Sequence, residues 1–186
     1  MSSGSIYLDY NGTTPISPDV VEKISQSLSA DWGNPSSSHF RGVQAKAKVD
    51  TARQQLSQSI NAQPDNIVFT SGGTESLNWI IYSICRSNPS SPPHVVTTKI
   101  EHCAVINPLK RVETEGVTVD YIAPLDGAFH VNSDRICSSI SAKTRLVAVM
   151  MANNETGAIQ PVEAIGSAIE RINHDRSPEL VIIAPD

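Results

Sequence analysis

The sequence predicts an α/β fold with an open, mostly parallel β-sheet. Short β-branched and apolar runs alternate along the chain with longer segments whose apolar residues keep helical spacing. This alternation favours parallel pairing, because each helix returns the chain to the same edge of the sheet. Strands are predicted at 66–69, 94–98, 117–122, 145–151 and 180–184, after a short strand that begins at Ile6. Helices are predicted at 17–30 and 41–60, from 77 onward, and at 101–115, 131–140 and 161–173.

The composition of the chain argues against several classes of function. With 186 residues and 39% apolar residues, the chain is long enough for a substantial core. The net charge of -5 and the absence of a basic stripe argue against a nucleic-acid surface. No apolar run approaches the roughly 18 residues of a membrane helix, and residues 1–5 show no targeting pattern, so we expect a cytoplasmic protein. Cys85, Cys103 and Cys137 show no CxxC spacing, so free thiols and no metal site are expected.

The glycine pair Gly72-Gly73 lies in a run of small and polar residues. Residues 69–76 read Phe-Thr-Ser-Gly-Gly-Thr-Glu-Ser, between a predicted strand and a predicted helix. Free amides at a helix start, two residues without Cβ and the hydroxyls of Ser71 and Thr74 suit a phosphate ester. The same pattern also occurs in ordinary turns, so by itself it leaves both interpretations open.

Two further polar loops follow later strands. His102 comes after the strand at 94–98, and residues 152–157, Ala-Asn-Asn-Glu-Thr-Gly, come after the strand at 145–151. The carboxyl ends of strands in an open α/β sheet are where ligands bind. A phosphate cradle, an imidazole and an Asn carboxamide would together suit a phosphorylated aromatic cofactor such as pyridoxal 5′-phosphate.

Simpler interpretations exist for each of these residues. His102 could be a hydrogen-bonded structural histidine, and Asn153 and Asn154 could form a plain turn. Cys103 beside His102 could be a nucleophile. Glu75 and Glu101 are expected to favour helix starts through the helix dipole.

The order of these motifs resembles the selenocysteine lyase and cysteine desulfurase family, which is class V aminotransferase-like and belongs to the fold-type I pyridoxal-phosphate enzymes. The resemblance covers nearly the whole chain. Its motifs are 7–15, Gly33-Asn34-Pro35-Ser36-Ser37, 69–76, Glu101-His102 and 152–157. Trp32 and the long stretch 173–180 look more like selenocysteine lyase than the bacterial cysteine desulfurases.

The resemblance implies a three-layer fold, with helices on both faces of the sheet, and a set of site residues. Gly73 and Thr74 match the phosphate-binding positions, and His102 matches the catalytic imidazole that stacks on the cofactor ring. Asn154 matches the partner of the ring hydroxyl. Asp186 comes where the family has the carboxylate that holds the pyridinium nitrogen protonated, although Ala184-Pro185 replaces the usual preceding residues.

The resemblance also implies a domain organisation and partners. We expect an amino-terminal arm at 1–15 and part of the pyridoxal-phosphate-binding large domain at 16–186, incomplete at its carboxyl end. The cofactor-binding lysine, the mobile-loop cysteine and the small domain would be absent. Family enzymes are expected to form homodimers, to take selenocysteine or cysteine, and to pass the chalcogen to an acceptor protein. The alternative is a non-catalytic fragment that binds cofactor weakly or serves in dimerisation.

Overall fold

A computed structural model describes residues 6–174 and 181–183 of the chain, which separates into two units, 1–69 and 70–186. In the first unit the helices are α1 (Pro18–Ala30) and α2 (Phe40–Ser59), followed by a 3-10 turn at Pro64–Asn66. In the second unit the elements are α3 (Gly73–Cys85), β1 (His94–Thr98), α4 (Cys103–Glu113), β2 (Thr118–Ile122), α5 (Ser133–Ser138), β3 (Thr144–Ala148), α6 (Val162–His174) and β4 (Val181–Ile183). The predicted boundary between residues 15 and 16 stays a prediction.

Two predicted strands are absent from the first unit. The stretch that begins at Ile6 and the stretch 66–69 both lack strand structure. The amide of Ile67 instead closes a 3-10 turn on the carbonyl of Pro64. β-Branched residues satisfy a strand's backbone only when a neighbouring strand is available, and the described part of this unit contains none.

The packing of the loop before α2 requires a glycine at the first position of the Gly33-Asn34-Pro35 motif. A Cβ atom on Gly33 would lie 2.4 Å from the carbonyl oxygen of Arg41, so only glycine allows this close approach. The side chain of Asn34 accepts a hydrogen bond from the amide of Ser36 at 2.9 Å. His39 then caps α2 by accepting from the amide of Gly42. The motif therefore folds the loop tightly against the first turn of α2.

The predicted parallel sheet is confirmed in the second unit. The strand order is β2-β1-β3-β4, and every described pair is parallel. β1 lies between β2 and β3 and is buried along its whole length. Its three polar side chains, His94, Thr97 and Thr98, are buried with hydrogen-bond partners.

Helices cover both faces of this sheet, so the three-layer arrangement is also confirmed. Successive residues of a strand point to opposite faces, and Val95 and Val96 accordingly belong to different apolar clusters. Val95 packs with residues of α3 and α4, such as Ile81 and Leu109. Val96 packs with residues of α5 and α6, such as Ile136 and Ile165.

Candidate cofactor-binding site

The amino-terminal end of α3 is open. Gly72 is the N-cap residue and no side chain caps this end. The first amides of a helix have no partner within the helix, and the helix dipole attracts negative charge there. A Cβ atom placed on Gly73 would meet no atom within 4 Å. This end of α3 therefore has both the donors and the space that a phosphate group needs.

Ser71 and Thr74, whose hydroxyls were both predicted to suit a phosphate, differ in their contacts. One oxygen of Glu75, Oε2, accepts hydrogen bonds from the amide and the hydroxyl of Ser71, both at 2.6 Å. These bonds lower the pKa of Glu75. Ser71 is thus engaged in the turn, and Thr74 is the hydroxyl of the motif that lines the adjacent cleft.

A cleft of about 310 Å³ lies between α3 and α4. Its lining residues are Thr74, Asn78 and Tyr82 from α3 and Cys103, Ala104, Asn107 and Pro108 from α4. Because Cys103 is the first residue of α4 and follows β1 closely, the cleft places Thr74 near the carboxyl end of β1. Neither His102 nor Asn154 is among the described residues that line this cleft.

His102 is the N-cap residue of α4. Its Nδ1 accepts a hydrogen bond from the amide of Ala104 at 3.1 Å, and the residue is otherwise exposed. Because Nδ1 must keep its lone pair for this bond, the neutral ring carries its proton on Nε2. The Sγ of Cys103 lies 3.8 Å from both ring nitrogens. The structural interpretation of His102 is therefore correct in part, and the cap leaves Nε2 available for a second role.

The two asparagines after β3 differ in their contacts. Asn153 holds the turn: its Oδ1 accepts from the amides of Glu155 and Thr156, and its Nδ2 donates to the carbonyl of Ile100 at 3.1 Å. Asn154 is exposed at the tip of the same turn. Asn153 is thus committed to the protein's own structure. The predicted role of Asn154 as the partner of the ring hydroxyl stays a prediction.

Glu101 is the residue whose role the sequence did not reveal. It lies before the N-cap of α4 and is 8% exposed. Its Oε1 accepts from the hydroxyl of Thr98 at 2.8 Å and from the amide of Met150 at 2.9 Å. Burial raises its pKa, against the opposing effect of these two bonds. The predicted dipole role of Glu101 stays a prediction, and its hydrogen bonds go to Thr98 and Met150 rather than to the first amides of α4.

The other predictions concern the Asp186 carboxylate, metal binding, membrane helices and the state of the cysteines. Asp186 lies outside the described residues. Among residues 6–174 and 181–183, no group of acidic, His and Cys side chains could hold a metal ion. Within those same ranges, no helix has the length and apolar character needed to cross a membrane. Cys85, Cys103 and Cys137 are free thiols, as predicted.

The fold is shared with solved structures. A NifS-like protein superimposes with a TM-score of 0.87 at 32% sequence identity, over 95% of this chain and 47% of the other. The structure titled SspA in complex with cysteine has a TM-score of 0.87 at 29% identity, over 96% of this chain and 49% of the other. The expected class of parallel-sheet domain, that of the fold-type I enzymes, is thereby confirmed.

Sequence comparison then gives the family. The model of the aminotransferase class-V family matches residues 6–174. The chain belongs to this family. It is 36% identical to selenocysteine lyase of Bos taurus over 192 aligned residues, which cover 94% of this chain and 44% of the bovine protein. It is 42% identical to cysteine desulfurase of Trichormus azollae over 165 residues, covering 89% of this chain and 41% of that protein. The chain thus spans under half the length of these relatives.

Proposed function

We propose that this chain contributes the phosphate-binding part of a pyridoxal-phosphate-dependent lyase that removes selenium from selenocysteine, or sulfur from cysteine, and leaves alanine. Family membership and the similarity to proteins of those two names support the substrate class. The observation that carries the proposal is the open amino-terminal end of α3, where Gly73 and Thr74 adjoin a cleft beside the first residue of α4.

The residues present fit the cofactor's phosphate. The first amides of α3 and the hydroxyl of Thr74 supply hydrogen-bond donors, and the space beside Gly73 lets an anion approach the backbone. The Glu75 carboxylate bonds to Ser71 and so does not consume the Thr74 hydroxyl. Asn154 would bond the ring hydroxyl, and Asp186 would hold the pyridinium nitrogen.

His102 is the residue proposed to stack on the cofactor ring and to move protons. When bound, pyridoxal phosphate supplies an electron sink for negative charge at the substrate Cα. The cap on α4 fixes Nδ1 as an acceptor, so that Nε2 is the atom that holds or gives up a proton. The cap also limits rotation of the ring, which favours a defined orientation.

The oligomeric state, cellular location and acceptor are proposed from the resemblance to the family. We infer a cytoplasmic homodimer that passes the chalcogen to an acceptor thiol or protein. The similarity to selenocysteine lyases and to cysteine desulfurases supports the chemistry equally for both, so the preferred chalcogen is to be found by measuring alanine release from each amino acid.

Substituting Gly73 tests the phosphate site in the protein expressed from its complete coding sequence. Gly73→Ala should leave the urea midpoint close to wild type, because the new Cβ meets no protein atom within 4 Å. It should weaken pyridoxal-phosphate binding, since the methyl group would occupy space needed by the phosphate. Gly166→Ala, at another uncrowded helical glycine, is the control and should leave binding unchanged. Equal affinities for wild type and Gly73→Ala would remove this residue from the site.

Thr74 offers a second test of the same site. Thr74→Ala should weaken cofactor binding by about 1–2 kcal/mol, because one hydrogen bond to a charged phosphate is lost. Thr74→Ser keeps the hydroxyl and should retain most of the affinity. If the alanine variant binds pyridoxal phosphate as well as the serine variant, the hydroxyl does not contact the phosphate.

A further inference from the structure

The loops after β1 and β3 are joined by two hydrogen bonds that cross between them. The Oε1 of Glu101 accepts from the amide of Met150 at 2.9 Å, and the Nδ2 of Asn153 donates to the carbonyl of Ile100 at 3.1 Å. One loop carries His102 and the other carries Asn154. Any movement between these loops would change the separation of the two residues proposed to contact the cofactor ring.

Of these two hydrogen bonds, the one that Glu101 accepts is the more deeply buried. Its side chain also accepts from the hydroxyl of Thr98, at the end of β1, so a single oxygen anchors both loops to the sheet. The other oxygen, Oε2, is buried and has no hydrogen-bond partner in the described part of the chain. An unpaired buried oxygen costs less on a neutral acid than on a carboxylate, and the raised pKa of Glu101 agrees with a neutral side chain.

We infer that Glu101 is a positioning residue of the cofactor site, which holds the His102 loop and the Asn154 loop in fixed register through the amide of Met150. This inference rests on the proposed function. Glutamine has the shape of a neutral glutamic acid and can accept the same two hydrogen bonds. Leucine fills similar volume but leaves the amide of Met150 buried without a partner.

The test compares variants of the protein expressed from its complete coding sequence. Hydrogen exchange without cofactor is followed in peptides that contain Met150 and the amide of Ala104, which His102 caps. Glu101→Leu should speed exchange in both peptides by about tenfold or more, because the local structure opens more often. It should also raise the Kd for pyridoxal phosphate by about tenfold. Glu101→Gln should restore both quantities to within about twofold of wild type.

His94→Leu provides the matched control. His94 is also 8% exposed, and at the amino end of β1 it contacts Thr144, the first residue of β3, and Asp120 in the middle of β2. Its loss should lower overall stability without loosening the two loops or weakening cofactor binding. If Glu101→Leu fails to fold, Thr98→Val removes one donor to Oε1 and should shift both readouts in the same direction by a smaller factor.

The outcomes are distinct. Wild-type exchange in Glu101→Leu would overturn the inference, as would faster exchange with unchanged cofactor affinity. Equal losses in His94→Leu and Glu101→Leu would also overturn it, because the effect would then be general destabilisation. A wild-type protein that does not bind pyridoxal phosphate would contradict the proposed function itself. Exchange in the cofactor-free variants would still show whether Glu101 joins the loops.

Discussion

The Nδ1 atom of His102 lies 3.1 Å from the amide nitrogen of Ala104 and accepts its hydrogen bond at the start of α4. The proposed cofactor-stacking residue is therefore also a helix cap. His39 also caps a helix, since its Nδ1 accepts from the amide of Gly42, three residues on, at the start of α2 at 3.4 Å. The two histidines allow the capping role and the chemical role to be measured separately.

Replacing His102 should affect stability and turnover by different amounts. His102→Ala should lower the free energy of unfolding by about 1 kcal/mol, because the cap is lost. His102→Asn should keep most of that stability, since the Asn carbonyl oxygen can cap the helix, but both variants should lose turnover because the ring is absent. Urea unfolding and alanine release from cysteine or selenocysteine measure the two effects.

His39 supplies the control for that comparison. His39→Ala should cost a similar or smaller amount of stability and leave turnover unchanged, because its ring caps α2 and has no proposed role in the reaction. Full turnover in His102→Asn would show that the His102 ring acts only as a cap.

The cysteines should differ in their rates of alkylation. Cys85 is 3% exposed and burial raises the pKa of its thiol to about 11, so little thiolate forms at pH 8. Cys103 is exposed and lines the cleft beside Thr74. Iodoacetamide at pH 8 should therefore modify Cys103 well before Cys85, as measured by peptide mapping. Bound pyridoxal phosphate should slow modification of Cys103 and leave that of Cys137 unchanged. Faster labelling of Cys85 than of Cys103 would contradict the packing of α3 against the sheet.

Glu101 should make stability depend on pH in a defined direction. Burial raises its pKa above the ordinary value of 4.5, so the folded protein binds this proton more tightly than the unfolded chain does. Its contribution to stability is then full below pH 4.5 and is lost as the pH rises through the folded-state pKa. Glu101→Gln removes this titration, so its stability relative to wild type should increase as the pH is raised from 4 to 8. The measurement is urea unfolding of both proteins across that range. A difference that stays constant or falls would show that the carboxyl is already ionised without penalty.

The crowded glycine at the start of α2 should not accept a side chain. A Cβ atom on Gly42 would lie 2.1 Å from the carbonyl oxygen of Ser37. Gly42→Ala should therefore lower the free energy of unfolding by about 1–3 kcal/mol, as overpacking commonly does. Gly166→Ala, inside α6 with no atom within 4 Å, should instead raise it by up to about 1 kcal/mol through helix propensity. Equal midpoints for the two variants in urea would contradict the close packing of the loop on α2.

Local sequence pattern was sufficient for most of the second unit. The strand predicted at 94–98 has those same bounds, because four consecutive β-branched residues favour a strand and turns flank the run. The helices at 131–140 and 161–173 are found slightly shorter or shifted, as α5 and α6. Fraying at helix ends depends on capping contacts and is the least predictable part of such elements.

Pattern was insufficient where a partner decides the structure. The run at 66–69 has the propensity of a strand, yet among residues 6–69, the described part of their unit, Ile67 and its neighbours have no strand to pair with. Propensity describes a single segment, whereas pairing requires two.

The sequence by itself determined the alternation of strands and helices, the glycine pair at the start of α3 and the presence of His102 and Asn154 in loops that follow strands. Only the tertiary structure decided the order β2-β1-β3-β4 and the roles of Glu101 and Asn153. Glu101 and Met150 are 49 residues apart, and Ile100 and Asn153 are 53 apart. No local period relates such residues. Their contact arises because β1 and β3 are adjacent and parallel, so that the ends of both strands reach the same edge of the sheet.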